Sequence, residues 1–291
     1  MRRASREWQR LGERCMERLL FAGSLSGIVT LGAMVVFTFA AGLPVILRTG
    51  LGRFLLGQHW RPLEGEFGIA AMVVGSVFVT LGALAAAVPL GLGTAILLSE
   101  FAPPWVRRIA RPAVELLAGI PSVVYGFYGL VVIVPLIRQH LGGVGFSILA
   151  GSVILAVMIL PTLITIALDS LRQVPDSYRQ GSLALGATRW QTVRRVVLPA
   201  ARSGVVAAVV LGAGRAVGET MAVLMVTGNV AVLPESILSP VRTLTGNIAL
   251  EMGYAAGEHQ QALFASGIVL FILTMILNGL IQLRRVGRVA R

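Results

Sequence analysis

Two ionisable residues stand where ionisable residues are rare. Arg215 and Glu219 lie in the run GAGRAVGETMAV, close to the middle of a long apolar stretch. At i and i+4 on a continuous helix they would share one face, within pairing distance. An Arg at the centre of a bilayer-spanning helix costs about 2.5–3.5 kcal/mol on insertion scales, so its presence asks for a reason. One reason is chemical. A guanidinium is a planar fork that matches the oxygens of a tetrahedral oxyanion. Glu219 would hold that fork in place and could take a proton from a protonated anion, discriminating against a fully ionised one. The other reason is structural, an ion pair that only fixes helix packing. Thr220, Ser122 and Tyr125 could line a route past the pair, or could serve as packing residues with helix–helix hydrogen bonds.

The elements that must position this pair are membrane spans. The chain has 291 residues, 56% hydrophobic and only 13% charged, with mean hydropathy +0.82. Soluble domains hold about 45–50% apolar and about 25% charged residues. A helix needs about 20 apolar residues to cross a bilayer. Six stretches qualify: Leu19–Leu47, Ile69–Leu98, Pro112–Ile137, Phe146–Leu168, Ser203–Thr227 and Ala262–Leu283. The expected fold class is therefore an all-α membrane protein with six transmembrane helices. Pro44, Pro89, Pro121, Pro135 and Pro161 fall in or beside these stretches, where kinks favour a cavity over a simple bundle.

All 25 basic residues are Arg, and the net charge is +12. Such a charge could suggest nucleic acid, but the arginines alternate with spans. Nineteen fall in the N-terminus, the second and fourth connections and the C-terminus; five fall on the opposite side. The positive-inside rule then puts both termini and the loop around residues 180–199 in the cytoplasm. Residues 1–18 alternate Arg and Glu and read either as an amphipathic helix at the membrane surface or as a solvated tail. Residues 19–68 supply the first span and an outer loop, in which Trp60 would sit at headgroup level. Residues 69–283 form the main permease unit, and 284–291 a basic tail. His259, in a later outer loop, reads best as a plain surface histidine.

Much is excluded. Cys15 is the single cysteine, which rules out an internal disulfide and a Cys-rich metal site. His59, His140 and His259 form no metal-ligand spacing, and there is no G-x-x-x-x-G-K-[ST] phosphate loop. The chain should not be an enzyme, should bind no cofactor or metal, and should not engage nucleic acid. Any ATP would be used by another subunit.

The stretch Gln180–Pro199, QGSLALGATRWQTVRRVVLP, is the most polar of the second half and reads as a docking element. After Gln180, the residues Gly181, Ser182, Ala184, Gly186 and Ala187 form a small-residue patch that another backbone could approach, and Leu198-Pro199 opens the next helix. The pattern resembles the cytoplasmic loop E-A-A-x3-G-x9-I-x-L-P of ABC importer permeases. Gly186 takes the Gly position and Val196-Val197-Leu198-Pro199 the I-x-L-P position, while Gln180-Gly181-Ser182 replaces E-A-A. The runs ELLAGIPSVVYG, RAVGET and EHQQALFASGIVLFILTMILN resemble the phosphate-importing branch, and FLLGQHWRPLEGEFG resembles its PstC-type subunit. The resemblance, over about residues 48–283, implies the type I importer permease fold, with residues 180–199 as the coupling helix. It implies inorganic phosphate as substrate and the bacterial inner membrane as location. It also implies a homologous PstA-type permease, a PstB-type ATPase dimer and a PstS-type periplasmic binding protein as partners. A PstA-type subunit, a permease for molybdate or sulfate, and an ion-coupled carrier working alone remain as alternatives.

Overall fold

The computed structural model describes the backbone of residues 2–289 and the side-chain surroundings of residues 16–276 and Gly279. Helix α1, Arg2–Thr49, carries the first span; the side chains of residues 1–15, where the amphipathic pattern lies, fall outside the described residues, as do Asn278 and the side chains of the basic tail. A short helix α2 (Leu51–Leu56) and a two-stranded antiparallel hairpin, β1 (Trp60–Arg61) with β2 (Glu66–Phe67), lead to α3 (Ala70–Ile96). Then follow α4 (Pro104–Ala118), α5 (Ser122–Tyr128), α6 (Val134–His140) and α7 (Ile148–Arg172). The polar loop forms α8 (Asp176–Ala184), α9 (Arg189–Thr192) and α10 (Leu198–Ala200). Helices α11 (Arg202–Gly218), α12 (Met221–Val226), α13 (Leu244–Glu251) and α14 (Glu258–Val289) complete the chain.

Among the described residues, five helical segments are long and apolar enough to span a bilayer: Met16–Thr49, Ala70–Phe101, Ser122–His140, Ile148–Arg172 and Glu258–Ile276. The remaining expected span, Ser203–Thr227, begins with α11, which meets the preceding helical segment Arg189–Ala200 at a bend of 73°. Two expected spans are corrected at their boundaries. The third starts at Ser122 rather than Pro112, because the helix stops at Gly119-Ile120-Pro121. Pro121 has no N–H to donate and pushes the residue before it out of the helical region. The fifth was expected to run unbroken from Ser203 to Thr227, but it breaks at Glu219 and Thr220.

Two prolines coincide with wider helical turns. Pro44, Pro89 and Pro161 lie inside helices. Pro135 and Pro199 each follow a π-helical turn, Gly129–Ile133 and Val193–Val197. A proline ring collides with the carbonyl four residues back, here that of Val131 or Arg195, and one extra residue in the turn relieves the collision.

The core is built on α3 against α7. Val79, Ala83, Ile154, Leu155, Met158 and Ile159 are almost wholly buried. Close approach is possible because Gly82 leaves no room for a Cβ against the Ser152 side chain. In turn, Ser152 Oγ donates to the Val79 carbonyl at 3.2 Å. A second apolar cluster joins α1, α2, the hairpin, α13 and α14 through Val45, Phe54, Phe67, Leu244 and Ala265. Most of α1 outside that contact is bare: Leu20, Phe21, Ile28 and Val36 are all exposed. In a bilayer such a face is covered by lipid chains rather than water.

Candidate functional site

The break between α11 and α12 governs the geometry around Arg215. Glu219 is extended (φ −71°, ψ 132°). Its Oε1 accepts from the Ala222 N–H at 3.1 Å, which satisfies an otherwise unpaired donor in the first turn of α12. Its own carbonyl accepts from Thr245 Oγ1 at 2.9 Å, at the start of α13. Arg215 turns elsewhere. It is exposed on α11, and its Nη1 donates to Thr162 Oγ1 of α7 at 3.1 Å. The expected Arg215–Glu219 ion pair therefore does not form: the i,i+4 geometry needed a continuous helix, and the helix ends at Gly218. Among the described residues Arg215 has no carboxylate partner. The two residues separate into distinct surroundings. Glu219 lines a cleft of about 10 Å³ with Ser76, Thr80, Thr243 and Thr245, room for about one water.

Of the other residues named as route-lining, Thr220 lies in this break and Ser122 and Tyr125 lie on α5. Thr220 Oγ1 donates to the Gly218 carbonyl at 3.3 Å. Ser122 opens α5 and is half-buried. Tyr125 is buried, and its hydroxyl donates to the Leu117 carbonyl at 2.8 Å, bridging the α4–α5 break. Helix α5 lies directly on α12, because Gly126 brings its backbone against Ala222; a Cβ there would sit 2.9 Å from Ala222 Cα.

The loop Gln180–Pro199 folds as two helices around a left-handed turn. Gly186 has φ +82°, a conformation in which a Cβ is strained, and its N–H donates to the Leu183 carbonyl at 2.9 Å to close α8. Thr188 then opens α9 with a capping box. Its N–H donates to Gln191 Oε1 at 2.8 Å, and its hydroxyl accepts from the Gln191 N–H at 3.3 Å. Ser182 Oγ meets Thr192 Oγ1 at 2.9 Å, tying the two helices. Gln180, Gly181, Ala184 and Gly186 face outward, Leu198 packs on the core, and Pro199 sits in the first turn of α10. The outward face also carries Leu183, Trp190 and Leu185, the last 90% exposed, beside Arg189, Arg194 and Arg195. The small-residue pattern drew attention to the backbone. It did not single out these apolar side chains, although exposed Leu and Trp on a polar loop are themselves a docking signal.

The far end of the molecule holds a polar cluster that the sequence did not disclose. The Glu251 carboxylate, 9% exposed, accepts from Arg242 Nη1 at 2.6 Å on Oε1. On Oε2 it meets Trp60 Nε1 and His259 Nε2, each at 2.8 Å. Arg242 also donates to the Asn229 carbonyl at 2.9 Å and to Asn247 Oδ1 at 3.0 Å. His259 is thus not a surface histidine, and Trp60 has its indole engaged instead of lying free at an interface.

A transmembrane bundle with a broken helix, an exposed intramembrane arginine and a protruding two-helix loop defines a transporter permease. The family model described as "binding-protein-dependent transport system inner membrane component" matches residues 79–286, and the chain belongs to that family. Similar curated proteins include a probable ABC transporter permease, YqgH, of Bacillus subtilis. It is 42% identical, over 96% of this chain and 93% of its own. A phosphate transport system permease protein PstC of Haemophilus influenzae is 36% identical over 83% and 86% of the two chains. Among solved structures, an inward-facing MetNI methionine ABC transporter chain aligns with TM-score 0.61 at 22% identity, covering 80% of this chain and all of its own. A chain of a bacterial alginate ABC importer aligns with TM-score 0.55 at 17% identity, covering 87% and 95%. The fold is that of the ABC importer permeases. The chain is a multi-pass inner-membrane component that works with a binding protein and an ATPase, and it is not itself an enzyme.

Proposed function

We propose that this chain is the PstC-type permease subunit of an ATP-driven importer of inorganic phosphate. The observation that carries the reading is Arg215, a guanidinium beside a break in a membrane helix, held by one hydroxyl and neutralised by no carboxylate among the described residues. A cation left uncompensated within a membrane helix is expensive, and a passing oxyanion relieves that cost. The phosphate transport names of several relatives at 36% identity support the choice of anion.

In this reading a PstS-type protein delivers phosphate at the hairpin end. A PstA-type permease supplies the other half of the path. A PstB-type ATPase dimer receives the Gln180–Pro199 loop, with Leu185 and Trp190 entering its cleft. That loop and both termini face the cytoplasm, in keeping with the distribution of arginines. Glu219 shapes the path indirectly, by holding α12 and α13 at the break, rather than by clamping Arg215. Thr220 lies in the break itself, and Ser122 and Tyr125 belong to α5, which packs on α12. ATP is bound and hydrolysed by the partner alone.

The test is uptake of radiolabelled phosphate by proteoliposomes holding all four proteins, with excess sulfate or molybdate as competitor. Unlabelled phosphate should abolish the signal and the other anions should leave it unchanged. Suppression by sulfate or molybdate at equal concentration would overturn the choice of substrate.

A further inference from the structure

One ion pair fastens the docking loop to the membrane spans. Arg179, on α8, forms a two-pronged bond with Glu100: Nε donates to Oε2 at 3.0 Å and Nη2 to Oε1 at 2.9 Å. Glu100 lies in the π-helical turn Leu97–Phe101 that ends α3. The same guanidinium donates to the Leu171 carbonyl at 2.9 Å and the Val174 carbonyl at 2.6 Å, at the end of α7. It also reaches Asp176 Oδ1 at 3.2 Å. Both members of the pair are well shielded, with side chains 18% and 11% exposed. A cation at a helix C-terminus is favoured by the helix dipole, and the carboxylate's hydrogen bond raises the Arg179 pKa further above its ordinary value. Ser99 Oγ donates to Glu100 at 2.8 Å, and Arg107 is a second cation near it.

The arrangement is more than a surface ion pair. Helices α3 and α7 form the core pair of the bundle, and a single guanidinium joins the ends of both to the loop helix. The geometry points to Arg179 as a positioning residue that makes α8, the end of α7 and the end of α3 move as one body. A displacement of the docking loop would then pass directly into the two central spans. Without the bracket, α8 would hinge at Gln173–Pro175 and the motion would be lost there. This inference rests on the reading of the loop as the ATPase contact, but not on the identity of the substrate.

The experiment uses the assembled complex with spin labels at Ser177 on α8 and at Leu97, both exposed. In otherwise unaltered protein the distance distribution should stay narrow with and without ATP. In Arg179→Lys, which keeps the charge but cannot form the fork and reach both carbonyls, ATP should widen it at least twofold. ATP hydrolysed per substrate imported should rise at least tenfold, with complex yield unchanged. Glu100→Gln, which removes the charge but keeps the shape, should give the same changes in smaller degree. Unchanged width and ratio in the assembled variants would overturn the inference. So would loss of complex in both variants, since the bracket would then serve assembly alone. A complex that imports an anion other than phosphate would refute the proposed substrate and leave the distance measurement intact.

Discussion

Replacing Arg215 by Gln separates a substrate-handling arginine from a structural one, because the structure assigns the two cases different energies. Had Arg215 been paired with Glu219, the substitution would have left a carboxylate uncompensated in the membrane. Breaking a buried pair costs about 3–5 kcal/mol, enough to prevent assembly. The observed partner is a hydroxyl, Thr162 Oγ1 at 3.1 Å, and Glu219 is satisfied by Ala222 and leaves no orphan. Gln can keep a bond to Thr162, so the stability loss should be about 1 kcal/mol or less. Transport is affected differently. A guanidinium can give an oxyanion two charge-assisted bonds of about 1.5–3 kcal/mol each. Losing both removes at least about 3 kcal/mol, or ~100-fold in rate at about 1.4 kcal/mol per decade. Initial phosphate uptake by proteoliposomes and thermal denaturation of the purified complex, measured on the same preparation, give the two numbers. Arg215→Lys, which keeps the charge but not the fork, should fall between Gln and the unaltered protein. Normal uptake in Arg215→Gln, or a complex that no longer assembles, would refute the reasoning.

Other expectations rest on separate parts of the molecule. Gly126→Leu would drive a side chain into the Ala222 backbone. An overpacking cost of about 1–3 kcal/mol should appear as a lower melting temperature with loss of uptake. Gly186→Trp should uncouple ATP hydrolysis from uptake. The position is open on this chain, so beyond about 1–2 kcal/mol of left-handed strain the added bulk meets only a docking partner. Normal coupled turnover in that variant would contradict the docking role. Glu251→Gln should weaken the hairpin end, since Arg242 would keep a buried charge without its carboxylate. A cost of about 3–5 kcal/mol should be visible as faster amide exchange across residues 60–67. Thr188→Ala should remove the α9 cap, about 0.5–2 kcal/mol, and lower the affinity for the ATPase without changing the spans.

The parts of this fold that depend on averaged apolarity were open to a reader of the sequence. Five of the six apolar runs correspond to helical segments long and apolar enough to cross a membrane, and the sixth to the broken pair α11 and α12, because lipid solvation acts on every residue of a span. The loop was legible for a different reason: Gly186 and Leu198-Pro199 impose backbone conformations locally. What escaped were the features set by contacts between distant segments. The apolar stretch resumes directly after Glu219, yet the helix stops there because its side chain bonds Ala222 and its carbonyl bonds Thr245. The i,i+4 spacing of Arg215 and Glu219 brings the two together only on the continuous helix that those contacts interrupt. Glu251 draws Trp60 from 191 residues away, and each member of that cluster, taken alone, resembles an ordinary loop residue. The Arg179–Glu100 bracket was hidden in the same manner, since its partners lie 79 positions apart on either side of two spans.

The central claim is that this chain is one half of an anion path that an ATPase must drive. Its most direct test is phosphate uptake into sealed vesicles holding the permease pair and the binding protein, with and without the ATPase and ATP. The account predicts accumulation above the external concentration only when both ATPase and ATP are present. Accumulation without them, driven by an ion gradient, would contradict it.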